Sequence, residues 1–316
     1  MKVGLIGSSP ICKFHISALQ KNGFIIDAVG SRHNSSNCLD LCNQFSLQEK
    51  YCKNGWEEVL NKNVDAFIIS IDIGVTPQIL EKALLTGKYI LVEKPISWDP
   101  KIIKSISNMK NSDKIFVGYN RRFYKTVNEL KNYCKKLAGG TIVLNIPDST
   151  PGIKQFISNG CHVIDTLRYL IGDFTIIKSL VVNDDADDIL SITAICENEK
   201  WKIIMNAHSK IPSNFSITIN SNERVFELKP IERLSLYDGI DIIEPTIDDP
   251  IRKYVPSLKK TVIESSELKP GFDEMYKSFK KFLNGNFNEN LCTINDALLT
   301  STKCWEFVED KLPKNL

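Results

Sequence analysis

Short apolar runs alternate with segments of helical period along the first third of the chain. Val3 to Ile6, Ile25 to Val29, Ala66 to Ile71, Tyr89 to Val92 and Ile115 to Val117 read as buried strands. Between them, Pro10 to Lys21, Ser36 to Phe45, Trp56 to Leu60, Pro77 to Thr86 and Pro100 to Met109 space their apolar residues as helices do. That alternation predicts an α/β fold, a doubly wound parallel sheet with helices on both faces. Beyond residue 140 the rhythm changes. Thr141 to Ile146, Ile176 to Val182, Leu190 to Cys196, Lys202 to Ala207, Phe215 to Ile219, Arg224 to Leu228 and Arg233 to Tyr237 are closely spaced strands, which favours an open, mostly antiparallel sheet. Phe272 to Leu283 and Ile294 to Val308 then read as closing helices. The change of pattern alone sets a boundary between domains 1–118 and 119–316, the closing helices packing back on the first domain.

Composition narrows the class. The 316 residues suit two domains, and 42% hydrophobic with 25% charged residues is ordinary for a globular protein. A formal charge of +2 makes no electrostatic case for nucleic acid or an acidic membrane as partner. No apolar stretch reaches the roughly 20 residues a membrane span needs, and Met1-Lys2 runs directly into a strand, so a cytoplasmic protein without a signal peptide is expected. Nine cysteines, at 12, 38, 42, 52, 134, 161, 196, 292 and 304, form no paired Cys-x-x-Cys set, which predicts reduced thiols and no metal.

Candidate chemistry gathers where strands end. A dinucleotide loop uses G-x-G-x-x-G after the first strand, and this chain offers Gly7, Ser9 and Cys12 there, with Pro10 suited to a helix start. After the second strand stands Gly30-Ser31-Arg32-His33 instead of the acid that holds the ribose of NAD. Ser31 can donate to a 2'-phosphate and Arg32 can pair with it, which favours NADP over NAD as cofactor. Lys94 follows Tyr89-Ile90-Leu91-Val92 within Glu93-Lys94-Pro95, so a turn holds it at the carboxyl edge of the sheet. His162, Asp165 and Tyr169 share one face of a helix beginning near Gly160, away from Ile164, Leu167 and Ile171. Lys94 and His162 are the candidates for moving a proton while hydride leaves or reaches carbon, with Asp165 orienting the imidazole or binding substrate. Asn120 and Arg122 open the second domain, and Arg122 suits a phosphate or carboxylate on the substrate. Lys125, Lys131, Lys135 and Lys136 read as an exposed basic face.

Together these segments resemble the family of glucose-fructose oxidoreductase and inositol dehydrogenase, Gfo/Idh/MocA. The resemblance rests on Val3-Gly4-Leu5-Ile6-Gly7 with His15, Asp65-Ala66-Phe67-Ile68-Ile69-Ser70, Gly87 to Pro95, Gly118-Tyr119-Asn120-Arg121-Arg122-Phe123, and Gly160-Cys161-His162-Val163-Ile164-Asp165. It implies an amino-terminal Rossmann domain, a substrate-binding domain, and hydride transfer between a nicotinamide and a sugar, cyclitol or sugar-nucleotide carbon. It also adds Ser70 and Glu93 to the cofactor contacts, places Ser158 at the substrate, and implies a cis Lys94-Pro95 bond. Ser158 stands where the family commonly carries an acid, Thr76 where a histidine often follows the third strand, and the segment from Asn145 to Gln155 is short. These departures imply an unusual substrate or a loss of activity. Two alternatives therefore stay open: a catalytically impaired dinucleotide-binding regulator or assembly protein, and a redox-assisted lyase, hydrolase or epimerase. An open sheet face predicts a homo-oligomer.

Overall fold

A computed structural model describes residues 1–47, 52, 54–148, 150–286 and 289–308. In chain order the first elements are β1 (Lys2–Ile6), α1 (Cys12–Lys21), β2 (Ile25–Gly30), α2 (Ser36–Gln44), α3 (Glu57–Leu60), β3 (Ala66–Ile69) and α4 (Thr76–Leu84). They continue with β4 (Tyr89–Val92), α5 (Pro100–Ser107), β5 (Ile115–Val117), α6 (Lys125–Cys134), β6 (Gly140–Asp148), α7 (Cys161–Ile171), β7 (Thr175–Asn183) and β8 (Ile189–Glu197). The rest are β9 (Trp201–Ser209), β10 (Ser216–Ser221), β11 (Arg224–Leu228), β12 (Arg233–Ile243), β13 (Lys253–Ile263), α8 (Phe272–Leu283), β14 (Cys292–Thr293) and α9 (Ile294–Glu306).

The chain forms two compact units. One comprises Met1–Phe123 and Ser266–Trp305, the other Tyr124–Ser265 with residues 306–308. In the first unit six strands run in the order β14-β5-β4-β3-β1-β2. Five are parallel, and β14 is antiparallel at the edge. β3 buries all of Ala66-Phe67-Ile68-Ile69, as a strand covered on both faces must. Order reverses beside β1, whose neighbours are β2 and β3, and such a switch point opens a crevice at the carboxyl ends of the strands. Ser35 caps α2 by accepting from the Cys38 amide at 3.3 Å, and Asp99 caps α5 from the Lys101 amide at 2.8 Å.

One face of this sheet is closed by the returning segment. Phe272, Met275, Tyr276 and Phe279 of α8 share a core with Val3, Leu5, Ile16, Leu19, Leu91 and Phe116. The rings of Phe116 and Phe279 meet at 6.0 Å, and those of Phe24 and Tyr276 also at 6.0 Å. Asp273 and Glu274 lie in the first turn of α8 and Lys280 and Lys281 in its last, each sign set against the helix dipole.

The second unit holds eight strands in the order β13-β12-β11-β10-β6-β9-β8-β7, every neighbouring pair antiparallel except β6 with β9. Alternation is plain in β9, where Trp201, Ile203, Met205 and Ala207 are buried between outward residues. Helices α6 and α7 pack against each other, and Thr126 of α6 donates to the Ile231 carbonyl at 2.9 Å. Apolar side chains elsewhere on the sheet are exposed, among them Leu180, Val182, Ile195 and Ile204.

The doubly wound sheet and the mostly antiparallel one are those the hydrophobic pattern predicts, and the Lys94-Pro95 bond is cis as expected. Three elements were hidden. Lys125 and Lys131, read as a basic face only, belong to α6, whose Thr126, Val127, Leu130 and Cys134 are buried. β13 escapes the period-two pattern because it is an edge strand with Pro256 inside it and most of its side chains in solvent. β14 has two residues, too few to carry a pattern. The expectation of reduced cysteines is corrected at one pair: Cys38 and Cys52 are joined by a disulfide, their Cα atoms 5.5 Å apart. That lies within disulfide reach, and the chain path between the two positions, which spacing alone does not reveal, brings them together.

Candidate functional site

At the switch point of the first unit a cavity of about 460 Å³ opens where β1, β2 and β3 end. Ser8 and Ser9 line it from the first loop, Ser31 and Arg32 from the second, and Ile71 and Asp72 from the third. Gly7 is the hinge of the first loop. Its amide donates to the Gly30 carbonyl at 2.8 Å, its φ is +131°, and a Cβ there would stand 1.9 Å from the Ser70 carbonyl oxygen. Only glycine passes between the two neighbouring strand ends.

Around that hinge the hydroxyls form two groups. Ser8 Oγ lies 3.0 Å from Ser31 Oγ and 3.4 Å from Ser35 Oγ, linking the first loop to the second and to the cap of α2. Ser9 Oγ lies 3.2 Å from Ser70 Oγ and donates to the Ser70 carbonyl at 3.3 Å. Cys12 is fully buried, its Sγ 3.5 Å from the same carbonyl. Burial pushes the Cys12 thiol up from its ordinary pKa, against the hydrogen bonds from Ser70 and Ser9, so it stays a neutral packing group. Of the residues expected at a cofactor, Ser9, Ser31 and Arg32 thus line the cavity, while Gly7, Cys12 and Ser70 do not line it.

Glu93 and Lys94 sit at the end of β4, where the ladder continues through the Glu93 amide to the Ile69 carbonyl at 2.8 Å. Glu93 Oε1 is 3.0 Å from Nε2 of His15, which is wholly buried on α1. His15 Nδ1 lies 2.7 Å from the Tyr276 hydroxyl. The second Glu93 oxygen accepts from the Lys94 amide at 3.2 Å. Glu93, expected on the cofactor, is therefore held in a chain that pins the backbone of Lys94. Burial first, and the charge of Glu93 after it, raises the Tyr276 phenol well above its usual pKa and keeps it neutral.

Lys269 stands near this chain and the sequence reading missed it. Burial lowers its pKa, the neighbouring cations Lys94, Arg121 and Lys13 acting in the same direction and Glu93 against it. Its ammonium lies 4.8 Å from the Phe14 ring centroid and 5.9 Å from that of Phe272. Nothing in the sequence distinguishes it from other lysines before a proline.

Two residues expected at the substrate contact the returning segment. Asn120 donates to the Pro270 carbonyl at 2.9 Å, and Arg122, 5% exposed, places Nη1 3.5 Å from an Asp296 oxygen. Both tie the returning segment to the first unit. Thr76 turns its hydroxyl to the Asp72 carbonyl at 2.9 Å.

In the second unit, Phe156–Gly160 is a π-helical turn leading straight into α7. Such turns recur at functional sites because they displace side chains from the regular helical face. Ser158 lies within the turn. His162 follows on α7, half-buried, Asp165 is fully buried, and Tyr169 donates to Asn128 Oδ1 at 2.8 Å. A carboxylate does reach the turn: Asp148, ending β6, accepts from Gln155 at 2.8 Å and from Asn159 at 3.3 and 3.2 Å. Asp148 and His208 line one small cavity beside it. The sequence reading missed Asp148 because strand pairing, and no spacing along the chain, brings it to the turn.

These features define a Rossmann protein with a second, mostly antiparallel α+β unit. Residues 1–120 match the family described as the oxidoreductase family with an NAD-binding Rossmann fold. It is 25% identical over 189 residues to myo-inositol 2-dehydrogenase of Thermotoga maritima, a match covering 55% of each chain. The chain thus spans about half the length of the curated relatives it matches. Its fold is similar to that of a dehydrogenase from Clostridium difficile, with a TM-score of 0.76, 16% identity, and coverage of 98% of this chain and 99% of that one. It is likewise similar to UDP-N-acetylglucosamine 3-dehydrogenase from Acidithiobacillus ferrooxidans, at a TM-score of 0.76, 15% identity and coverage of 97% and 96%.

Proposed function

We propose that the protein is an NAD(P)-dependent oxidoreductase that moves a hydride between a nicotinamide and an alcohol or carbonyl carbon of a sugar, cyclitol or sugar nucleotide. The cavity at the switch point carries this reading. Its volume of about 460 Å³ falls in the range of small-molecule sites, and the serine hydroxyls of Ser8, Ser9, Ser31 and Ser35 in its lining would meet the phosphates of a dinucleotide. Gly7 gives the backbone room for a pyrophosphate, and the start of α1 supplies amides and a positive dipole end. When bound, the dinucleotide accepts or supplies the hydride.

The chain's own residues do the rest. Ser31 and Arg32 meet a 2'-phosphate, and with no acid at that strand end NADP is preferred. Lys94, its backbone pinned by Glu93, donates to the oxygen that gains charge. His162 carries the proton to or from that oxygen, and Asp148 holds the turn before it through Asn159. Asp165 and Ser158 belong to the same substrate end. A second copy of the chain covers the exposed apolar sheet face, making a homo-oligomer.

The test is nicotinamide absorbance across a panel of sugars, cyclitols and sugar nucleotides. Substrate-dependent change with NADPH or NADP, weakened in Arg32→Ala, is the expected result. Binding of cofactor without turnover of any substrate would move the assignment to a regulator. Product formation without net cofactor change would move it to a redox-assisted lyase, hydrolase or epimerase.

A further inference from the structure

Three sulfurs lie together at α2, whose capping residue Ser35 lines the cavity. Cys38 and Cys42 occupy successive turns of α2, and Cys52 bonds to Cys38. Cys42 Sγ is 3.2 Å from Cys52 Sγ, and all three sulfurs fall within 4.8 Å of one another. All three residues are wholly buried in the apolar core of the first unit. We propose that they form a thiol–disulfide exchange site that latches α2 against the cofactor cavity.

A metal held by three thiolates would bring net negative charge into that apolar core, whereas one disulfide and one thiol are neutral. The neutral arrangement therefore fits the surroundings. Cys42 is placed for exchange. Its thiolate attacks Cys52 Sγ, the Cys42–Cys52 bond forms, the Cys38–Cys52 bond breaks, and Cys38 leaves as thiolate and takes the proton Cys42 gave up. No electrons are gained or lost in that step. An external dithiol reduces the site fully by delivering two electrons and two protons and becoming a disulfide itself.

The latch follows from what α2 carries. Cys38 donates its amide to Ser35 Oγ at 3.3 Å, and Ser35 Oγ lies 3.4 Å from Ser8 Oγ, which reaches Ser31 at 3.0 Å. Ser8, Ser31, Ser35 and Asn37 all line the cavity. The disulfide ties the first turns of α2 to residue 52, so reduction frees the helix start and loosens the hydroxyl chain. Disulfides in reducing compartments are commonly of this responsive kind. This part rests on the dinucleotide reading, whereas the sulfur site does not.

The experiment uses the full chain equilibrated with oxidised or reduced dithiothreitol, quenched with acid and alkylated. Peptide mapping of the oxidised protein should find Cys38 linked to Cys52 with Cys42 alkylated, and intermediate ratios should add a Cys42–Cys52 linkage. Three alkylated thiols under oxidising conditions would overturn the site, as would a stoichiometric metal in native mass spectrometry. A Cys38–Cys52 linkage alone at every ratio would overturn the exchange. NADPH should bind about tenfold more weakly to the reduced protein. Equal affinities would overturn the latch. If the oxidised protein binds no nicotinamide nucleotide, the dinucleotide reading fails, and the sulfur site is then judged by the peptide map alone.

Discussion

Glu93 divides its two oxygens between the buried His15 and the amide of Lys94, so the lysine at the strand end is fixed by a carboxylate as well as by its proline. That arrangement gives the backbone of Lys94 a defined place at the strand end. If Lys94 steadies the charged oxygen and His162 moves the proton, Lys94→Ala and His162→Ala should each lower turnover by roughly 100-fold while NADPH affinity stays near the wild-type value. The double variant, measured in the same steady-state assay, should lose less than the product of the two, because groups serving one proton do not act independently. Wild-type turnover in both single variants would end these assignments. Some of this was legible. Gly7, Ser31, Arg32 and Lys94 stand at strand ends, where sequence order and sheet order coincide. Lys269 and Asp148 were not, because each reaches its neighbours by tertiary pairing that no local spacing records.

Among the elements, the π-helical turn Phe156–Gly160 carries Ser158, one of the positions where the sequence departs from the pattern it resembles. Asp148 brings a carboxylate to this turn, accepting from Gln155 and Asn159. Asp148→Ala should destabilise the second unit by about 1–3 kcal/mol, since two side-chain amides lose their charged acceptor. Denaturant unfolding followed by circular dichroism measures this, and turnover should fall with it. An unchanged midpoint would show that the carboxylate holds nothing. Strands of both sheets could be read from apolar runs because buried faces demand them. Helix α6 and edge strand β13 could not, since lysines mask the buried stripe of the first and solvent claims most of the second.

At the scale of the molecule, the first unit is discontinuous: Ser266–Trp305 completes what Met1–Phe123 begins. Phe272, Met275, Tyr276 and Phe279 close one face of its sheet, and Asn120 and Arg122 bind the same segment. A chain ending at residue 265 should therefore lose its cooperative thermal transition for the first unit and bind an apolar dye, while the full chain does neither. A soluble, nucleotide-binding truncation would refute the dependence. The hydrophobic pattern indicated the two sheets, but a helical stripe does not name the surface it will meet, so the destination of α8 had to come from packing.

The contact between His15 and Tyr276 joins positions 261 apart in sequence. During synthesis the amino-terminal strands emerge first, and Tyr276 follows His15 only 261 residues later. At typical rates of translation the wait is on the order of ten seconds, far longer than a helix or hairpin needs to form. Through that interval Leu91, Phe116 and their neighbours have no lid. The nascent chain thus passes through a stage with one side of its sheet bare, and the ribosome-bound protein is a natural client for a chaperone that shields apolar surface until Tyr276 arrives.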